Sequence, residues 1–428
     1  MTVSGLLACP TCDTQLGRVD DGYHCKTCRI DYPRLADLPW LFSEPGSALA
    51  DWRNRWQYAI SDLLSRAEAQ RSAIVDAPIA ETTERLTLTA EGLETQAEHL
   101  RSILAPLDVV QPVAKETYLA LRSRLPTAMG LLSYSTNLHR DWCWGDEENR
   151  LALEQIRPFI DPDRDQTIVV LGAGGARLAY DLHAITTGKT LALDANPLYG
   201  LLAHRLWQGD EQKFVEFPLA PKTSADCAIE QVLRAPGPAR EGLHYILGDV
   251  LRPPLMAGSF DVIVTPWLLD VLPTPAGTLL RLINHLLTDN GIWINHGSVA
   301  FANRNPLHNL TFTELLKTAQ ASGFEVDGTS ERRMPYLASP HSRFARQELT
   351  TTICCHKSAN VARPDRHQHL PEWIVHPKKP VPVTPEFRTQ LTTTRINAHI
   401  MGLIDGARSI RQIAEVLQTQ RLMPAKDA

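Results

Sequence analysis

The sequence predicts an α/β fold built on a Rossmann-like, mostly parallel sheet. Short apolar runs alternate with helical patterns between residues 158 and 358, a glycine-rich turn follows the first run, and acidic residues follow later runs. Strands that alternate with helices typically form a parallel sheet covered by helices. Ligands bind at the carboxyl ends of such strands. The residues at these strand ends are therefore candidates for a functional site.

Seven apolar runs are expected to be the strands of this sheet. In chain order they are TIVVLG, TLALD, HYILGD, FDVIVT, GIWINHG, FEVDG and LTTTICCHK. Each has the length and the β-branched or aromatic content of a buried strand.

The chain divides into five predicted regions. Residues 47–132 show apolar residues at three- and four-residue spacing, which predicts helices. A segment rich in proline, histidine and charge predicts a linker. The regions are 1–46, a cysteine-patterned segment; 47–132, helical; 133–358, the α/β domain; 359–380, the linker; and 381–428, a small helical tail.

The composition of the chain limits the classes of binding partner that we expect. The chain has 428 residues and a formal net charge of −5, so it lacks the overall positive field that attracts nucleic acid. No apolar run reaches transmembrane length, and the start lacks the basic region of a signal peptide. We expect a cytoplasmic protein that acts without membrane or nucleic acid.

Four cysteines near the start predict a structural zinc site. Cys9 and Cys12 form one CxxC pair, and Cys25 and Cys28 form a second after twelve residues. Two such pairs can place four thiolates around one tetrahedral Zn²⁺, which leaves no open position for catalysis. Free cysteines or a redox pair are the alternative.

The cysteine segment, with its trailing YPRLADLPWLF, resembles the small zinc-ribbon proteins that activate tRNA and protein methyltransferases. Residues 1–46 contain four Lys/Arg and six Asp/Glu side chains. This excess of acidic side chains argues against a zinc ribbon that binds RNA through the RNA phosphates.

The glycine turn does not match the common phosphate-binding patterns. Gly172 and Gly174 fit the first part of G-x-G-x-x-G, but the last position is Arg177, and no G-K-[ST] follows. Asp194 ends the second predicted strand, where a carboxylate can accept hydrogen bonds from ribose hydroxyls. Asp249 and Val250 of LGDV follow the third strand, in position to meet an adenine.

This order of elements resembles the class I S-adenosylmethionine-dependent methyltransferases, whose sheet has seven strands. Longer stretches are similar to the carnosine N-methyltransferase family over residues 133–358. The matching motifs are RDW…E…R, GAGxxRLA, T-x-x-x-x-D, WINxG and TFTEL…GF. An α/β domain for another cofactor, or one that has lost catalysis, is the alternative.

The resemblance implies roles for single residues. It assigns the cofactor to the glycine turn, the arginine and the acidic strand ends, and it makes Asp270 the residue that orients a substrate imidazole. The chain departs from the family at Pro273, where the family has histidine, and at Phe301, where it has tyrosine. The implied cofactor residues are Gly172, Gly174, Arg177, Asp194, Asp249 and Val250.

The chemistry of Asp270 is consistent with this role. A neutral imidazole has a pKa of about 6.5 and is nucleophilic at neutral pH. A carboxylate that accepts its N–H would fix the tautomer and direct the other nitrogen's lone pair. Alternatively, Asp270 caps a helix that begins around Thr274. His296, at the end of a predicted strand, is a second catalytic candidate, although such a histidine is more often structural.

Two further segments carry weaker expectations. Residues 139–142, HRDW, are expected near the cofactor as a lid or first-turn contact, although Trp142 and Trp144 fit core packing equally well. The tail motif DGARSIRQIAEVLQ, with Ser409 as its N-cap, resembles the small winged-helix domains of the PqqD type that hold leader peptides. That resemblance implies a peptide or protein partner.

The sequence therefore predicts an S-adenosylmethionine-dependent N-methyltransferase with a structural zinc. Its substrate would be a small molecule or a peptide, methylated at an imidazole or amine nitrogen. Two alternatives stay open, namely an RNA methyltransferase with a zinc ribbon and a non-catalytic scaffold that binds the cofactor.

Overall fold

The computed structural model describes residues 3–108, 130–303, 305–365, 373, 376 and 378–420. Parts of the predicted helical region, linker and tail, at 109–129, 366–372 and 421–428, lie outside the described residues. The chain forms two compact units, Met1–Pro364 and Asp365–Ala428.

An eleven-stranded mixed sheet forms the centre of the first unit. The strands adjoin in the order β1-β2-β3-β4-β9-β6-β5-β10-β11-β13-β12, and β7 pairs with β8 in a separate two-stranded sheet. The strands are β1 Gly17–Val19, β2 Gly22–Cys25, β3 Ile30–Leu35, β4 Leu38–Leu41, β5 Ile168–Leu171, β6 Thr190–Asp194, β7 Gln212–Glu216, β8 Ile229–Leu233, β9 Leu243–Gly248, β10 Phe260–Pro266, β11 Leu287–Gly297, β12 Phe324–Tyr336 and β13 Arg346–Lys357.

All seven predicted runs form strands of the main sheet, but the predicted number of strands is wrong. The cysteine segment adds four strands, and β4 pairs in parallel with β9 through Trp40 and Leu247. β12 and β13 close the other edge as a long antiparallel pair, so the sheet is mixed. The sequence runs gave no sign that the N-terminal segment would continue the sheet.

Helices cover both faces of the sheet. An irregular helical turn, Arg140–Trp144, continues α3. The helices are α1 Pro45–Ala73, α2 Ala80–Leu104, α3 Thr136–His139, α4 Asp146–Ile156, α5 Arg177–Ala184, α6 Pro197–Trp207, α7 Ala276–Leu286, α8 Phe312–Ala321, α9 Pro385–Leu403 and α10 Ile410–Thr419.

Two apolar cores lie against the sheet. One joins the sheet to α1 and α2 through buried residues such as Trp56 and Leu93. The other joins it to α7 and to the cysteine segment, where Leu7 and Tyr32 are buried. The alternation of side chains along each strand sends successive residues into opposite cores, as Val169 and Val170 show.

The sheet reverses its winding at β5, which positions the site. β5 pairs in parallel with β6 on one side and with β10 on the other. The connections from these strands therefore leave in opposite directions and open a crevice at their carboxyl ends. The glycine turn begins directly after β5, so it lies at this crevice.

The second unit is helical in its described part. Ser409 caps α10, as the sequence predicts, because its side chain accepts a hydrogen bond from the backbone N–H of Gln412. Residues 378–420 contain α9 and α10 and no strand, so a winged-helix architecture is not seen there. Met401, Ile404 and Ile410 are exposed on this unit.

Candidate functional site

The glycine turn has a backbone that favours glycine. Gly172 and Gly174 have φ of +67° and +54°, in the left-handed region. The Gly172 N–H donates to the carbonyl of Leu193 on β6 at 2.9 Å. A Cβ on Gly172 would lie 2.6 Å from Leu268 Cδ1, whereas a Cβ on Gly174 would meet no atom within 4 Å. Gly172 is thus required by packing, and Gly174 faces open space.

Asp194 closes the turn from the end of β6. Its Oδ2 accepts a hydrogen bond from Gly174 N at 2.9 Å, and its Oδ1 accepts one from Asn196 N at 2.9 Å. Burial raises the pKa of the Asp194 carboxyl, and these backbone donors partly oppose the shift. Each carboxylate oxygen has further lone-pair capacity, so Asp194 can still accept hydrogen bonds from a ligand.

The segment before α4 packs on the glycine turn. Trp142 Nε1 donates to the Gly175 carbonyl at 2.9 Å, and a Cβ on Gly175 would lie 2.6 Å from Asp141 Oδ2. The segment predicted to lie near the cofactor thus contacts the glycine turn. Trp142 serves packing at the same time, since it is buried beside Tyr180.

Arg177 holds this segment in place. Its Nη1 donates to the Asp141 carbonyl at 2.7 Å, and its Nε lies 3.0 Å from Asp181 Oδ1. Its guanidinium also lies over the Trp142 ring, 5.5 Å from the ring centroid. Arg177 also lines the cavity described below.

A cavity of about 330 Å³ lies at the carboxyl ends of β5, β6, β10 and β11. It brings together most of the predicted site residues. Those that line it are Gly172, Gly174, Arg177, Asp194, Asp270 and His296. Each lies at or within six residues after the carboxyl end of a strand, with Arg177 at the start of α5, and the parallel pairing of the strands places them at one edge.

Asp249 and Val250 lie beside this cavity and do not line it. They follow β9, whose Leu247 pairs with Asp194. Asp249 Oδ1 accepts a hydrogen bond from Leu251 N at 2.8 Å, and burial raises the pKa of its carboxyl. Val250 is buried in the core. The two residues are thus one strand further along the same edge.

Asp270 does not cap a helix. The helix that follows, α7, begins at Ala276 with no side-chain cap, so the capping alternative is wrong. Instead, Asp270 Oδ2 accepts hydrogen bonds from Ala300 N at 2.8 Å and from Ser298 Oγ at 3.4 Å. These bonds hold the carboxylate at the cavity wall, with Oδ1 left for a ligand.

The wall opposite the glycine turn is aromatic. His296 is 1 % exposed, and its ring lies edge to face with Trp267, 5.9 Å between centroids. Trp267 lies 4.5 Å from Tyr336, and the Arg346 guanidinium covers the Tyr336 ring at 4.4 Å. Burial lowers the pKa of His296 to about 4, and the nearby Arg140 charge adds to the shift.

Several cavity residues were not predicted as site residues. Asn137 and Tyr199 lie near the glycine turn, and Glu148 accepts hydrogen bonds from the backbone N–H groups of Leu337 and Ala338. The RDW…E…R motif contains Glu148 and was a signal for it. Tyr336 and Arg346 come from the β12–β13 pair, where no local pattern points to a site.

The cysteine cluster forms as predicted. The four sulfurs of Cys9, Cys12, Cys25 and Cys28 all lie within 4.8 Å of one another. Cys12 Sγ lies 3.5 Å from Cys25 Sγ, and Cys9 Sγ lies 4.0 Å from Cys28 Sγ. A tetrahedron of Zn–S bonds of about 2.3 Å has sulfurs about 3.8 Å apart, so the cluster has the size of a zinc site.

A larger cleft, of about 920 Å³, lies at the opposite end of the sheet. Thr167, Lys189 and Leu243 line it at the amino ends of β5, β6 and β9. Among its charged lining side chains, Arg34 pairs with Asp37, and Arg240 donates to the His183 carbonyl. The amino ends of parallel strands are not where ligands bind in this class of fold, so we place the site at the smaller cavity.

Replacing Gly172 with Ala should destabilise the protein more than replacing Gly174. Both changes force a side chain into the left-handed region, at a cost of about 1–2 kcal/mol. Gly172→Ala adds the clash with Leu268, worth roughly 1–3 kcal/mol more. Chemical denaturation of the two variants measures the difference. Equal losses in the free energy of unfolding would mean that the Leu268 side chain can move aside at no cost and that the turn is not tightly packed.

No protein-family model matches the sequence, and no curated protein matches it. Similar solved structures cover about half of the chain. A provisionally assigned methyltransferase of Bacillus halodurans is 11% identical and covers 48% of this chain and 99% of its own, with a TM-score of 0.36.

Two other structures show the same level of likeness. An S-adenosylmethionine-dependent methyltransferase of Mesorhizobium loti is 15% identical and covers 47% of this chain and 95% of its own, with a TM-score of 0.33. The cyclase SpnF is 11% identical over 50% and 81%, with a TM-score of 0.34. Likenesses at this level identify neither a reaction nor a substrate.

Among the described residues, no helix is both long enough and apolar enough to cross a membrane.

Proposed function

We propose that this protein is an S-adenosylmethionine-dependent methyltransferase that methylates an imidazole or amine nitrogen of a small molecule or peptide. One observation carries the proposal. A single cavity at the carboxyl edge of the sheet is lined by the glycine turn, by Asp194 and by Asp270. The glycine turn and Asp194 would hold the cofactor, and Asp270 would hold the acceptor.

The residues of the cavity fit this cofactor. Gly174 leaves open space beside the turn, and Asn137 Oδ1 is buried on the cavity wall without a hydrogen-bond partner. Asp194 and Asp270 bring negative charge and make only neutral hydrogen bonds in the described contacts. A ligand with a sulfonium and an ammonium group would balance that charge, and Asp249 would lie towards its adenine.

The residues then have distinct tasks. When bound, the cofactor supplies an activated methyl group on a positively charged sulfur. Asp270 Oδ1 accepts an N–H of the acceptor, which turns the lone pair of the reacting nitrogen towards the cofactor side of the cavity. Trp142 and Arg177 keep the segment over the glycine turn closed. Alignment of this kind is the main requirement of an in-line displacement by a neutral imidazole, because its nitrogen is already nucleophilic.

We infer that the four cysteines hold a structural zinc ion. The sulfur spacing fits a tetrahedral ion, and Tyr32 places its hydroxyl 3.1 Å from Cys9 Sγ, where it can donate to a thiolate. Four sulfur ligands leave no position for a substrate, so the ion would stabilise the N-terminal strands and take no part in the reaction.

A labelling experiment tests the proposed function. Purified protein is incubated with methyl-labelled S-adenosylmethionine and a cell extract separated into small-molecule, peptide and RNA fractions. We expect label in the small-molecule or peptide fraction, on a nitrogen identified by mass spectrometry. Label only in RNA would favour the zinc-ribbon RNA methyltransferase. No label in any fraction, with the cofactor still bound, would favour a scaffold.

A further inference from the structure

His296 lies at the same edge as Asp270. It pairs with Pro266 at the end of β10, and Asp270 follows four residues after Pro266. The segment after His296 also holds Asp270, because Ser298 Oγ and Ala300 N donate to its carboxylate. Both side chains line the cavity. A change in the position of one would therefore move the other.

The His296 ring has a fixed orientation. Its Nδ1 lies 3.0 Å from Thr352 Oγ1, on the residue that faces His296 across β11 and β13. The backbone carbonyl of His296 accepts a hydrogen bond from the backbone N–H of Trp267 at 2.7 Å. A Cβ on the next residue, Gly297, would lie 3.2 Å from the Trp267 backbone. The His296 backbone is thus held beside Trp267, and the bond with Thr352 sets the direction of the ring.

The other ring nitrogen has no partner. His296 Nε2 is buried and makes no hydrogen bond. Buried polar atoms in native proteins are nearly always satisfied, so an exception at a cavity wall points to a ligand. Nδ1 is the only hydrogen-bond partner of the Thr352 hydroxyl among the described contacts, so we assign the hydroxyl proton to this bond and the ring proton to Nε2. Nε2 is then a donor, and it lies near the positive charge of Arg140, which also lines the cavity.

We propose that His296 Nε2–H donates a hydrogen bond to a carboxylate oxygen of the methyl acceptor. This inference rests on the proposed function and narrows its substrate class. The acceptor would carry an imidazole or amine N–H for Asp270 and a carboxylate for His296, as an amino acid or short peptide does. His296 binds and positions this substrate and exchanges no proton with it.

A pair of matched probes tests the inference. β-Alanyl-L-histidine carries an imidazole and a carboxylate, and β-alanylhistamine lacks only the carboxylate. Their binding is measured by calorimetry on full-length protein loaded with S-adenosylhomocysteine. We expect the wild type to bind the carboxylate probe at least tenfold more tightly, His296→Leu to lose this preference, and His296→Gln, which keeps a donor, to retain part of it.

The outcomes separate this inference from the proposed function. Equal binding of both probes to the wild type, or an unchanged preference in His296→Leu, overturns the role of His296 and leaves the methyltransferase proposal standing. Binding of neither probe overturns both the inference and the imidazole acceptor. Failure to bind S-adenosylhomocysteine overturns the proposed function itself.

A second variant guards against loss of folding. Thr352→Val removes the partner of Nδ1 and leaves the His296 side chain intact. If His296→Leu does not fold, Thr352→Val should still reduce the preference for the carboxylate probe at least threefold, because the ring is no longer oriented. An unchanged preference in a folded Thr352→Val protein would contradict the inference.

Discussion

Replacing Asp270 with Asn is expected to reduce methyl transfer at least a hundredfold and to leave S-adenosylhomocysteine affinity within about threefold. Asn keeps the size of the side chain, and its amide oxygen can still accept from Ala300 N. It loses the negative charge that accepts an acceptor N–H, and small errors in alignment cost about this much in rate. Transfer of labelled methyl groups and calorimetry measure the two quantities.

A neighbouring variant provides the control. Ser298→Ala removes the longer of the two hydrogen bonds to the Asp270 carboxylate, at 3.4 Å, and retains the bond from Ala300 N at 2.8 Å. We expect it to change the rate less than fivefold. Wild-type transfer by Asp270→Asn would show that the acceptor is held elsewhere, and the substrate assignment would then be wrong.

Folding is expected to be almost unaffected by Asp270→Asn. Loss of a helix cap typically costs about 1 kcal/mol, but α7 has no side-chain cap to lose. The free energy of unfolding, measured with denaturant, should therefore change by less than about 1 kcal/mol. A larger loss would mean that the hydrogen bonds to Ser298 and Ala300 support the fold more than the site.

The predictable part of the site depends on local patterns. Each apolar run forms a strand, and parallel pairing places the ends of neighbouring strands at one edge. For this reason Gly172, Asp194 and Asp270 could be placed together from sequence. Gly172 directly follows β5, Asp194 ends β6 and Asp270 lies four residues after β10, so their positions require no knowledge of distant contacts.

The unpredicted part depends on contacts between distant segments. Tyr336 and Arg346 reach the cavity because β12 and β13 extend beyond the sheet as one long pair. The pattern of apolar residues in the sequence does not predict how far this pair extends. Arg177 shows the same limit. The resemblance implies a cofactor contact for Arg177, whereas its hydrogen bond to the Asp141 carbonyl depends on where a segment 36 residues earlier folds back.

The cysteine segment shows how a correct local interpretation can miss the architecture. The two CxxC pairs predicted a four-sulfur cluster, and the cluster forms. The predicted regions set residues 1–46 apart from the α/β domain. Backbone pairing of Leu41 with Gly248 makes the segment part of the main sheet instead.

This pairing links the cysteine cluster to the side of the cavity where we propose that the cofactor binds. β4 lies beside β9, which ends just before Asp249. The start of the chain holds the following loop, because Ala8 N donates to the Pro254 carbonyl at 3.0 Å and Met256 N donates to the Leu6 carbonyl at 2.9 Å. The loop with Asp249 is thus bound on two sides by the segment that the proposed zinc would fold.

Cys25→Ser should therefore abolish zinc binding and weaken cofactor binding together. We expect metal analysis to fall from about one zinc per chain to less than a tenth, and thermal unfolding to begin several degrees lower, since structural zinc contributes folding free energy. S-Adenosylhomocysteine affinity should fall at least fivefold. Amide hydrogen exchange should rise in residues 249–256, which the folded segment protects.

A cysteine outside the cluster is the matched control. Cys227 is partly exposed, and the only described hydrogen bond of its thiol is to the Thr223 carbonyl. Cys227→Ser should keep full zinc content, stability and cofactor affinity. If Cys25→Ser lost its zinc but bound S-adenosylhomocysteine as tightly as the wild type, the prediction would be wrong. The cluster would then stabilise only its own strands, and the backbone hydrogen bonds to the loop after Asp249 would not affect cofactor binding.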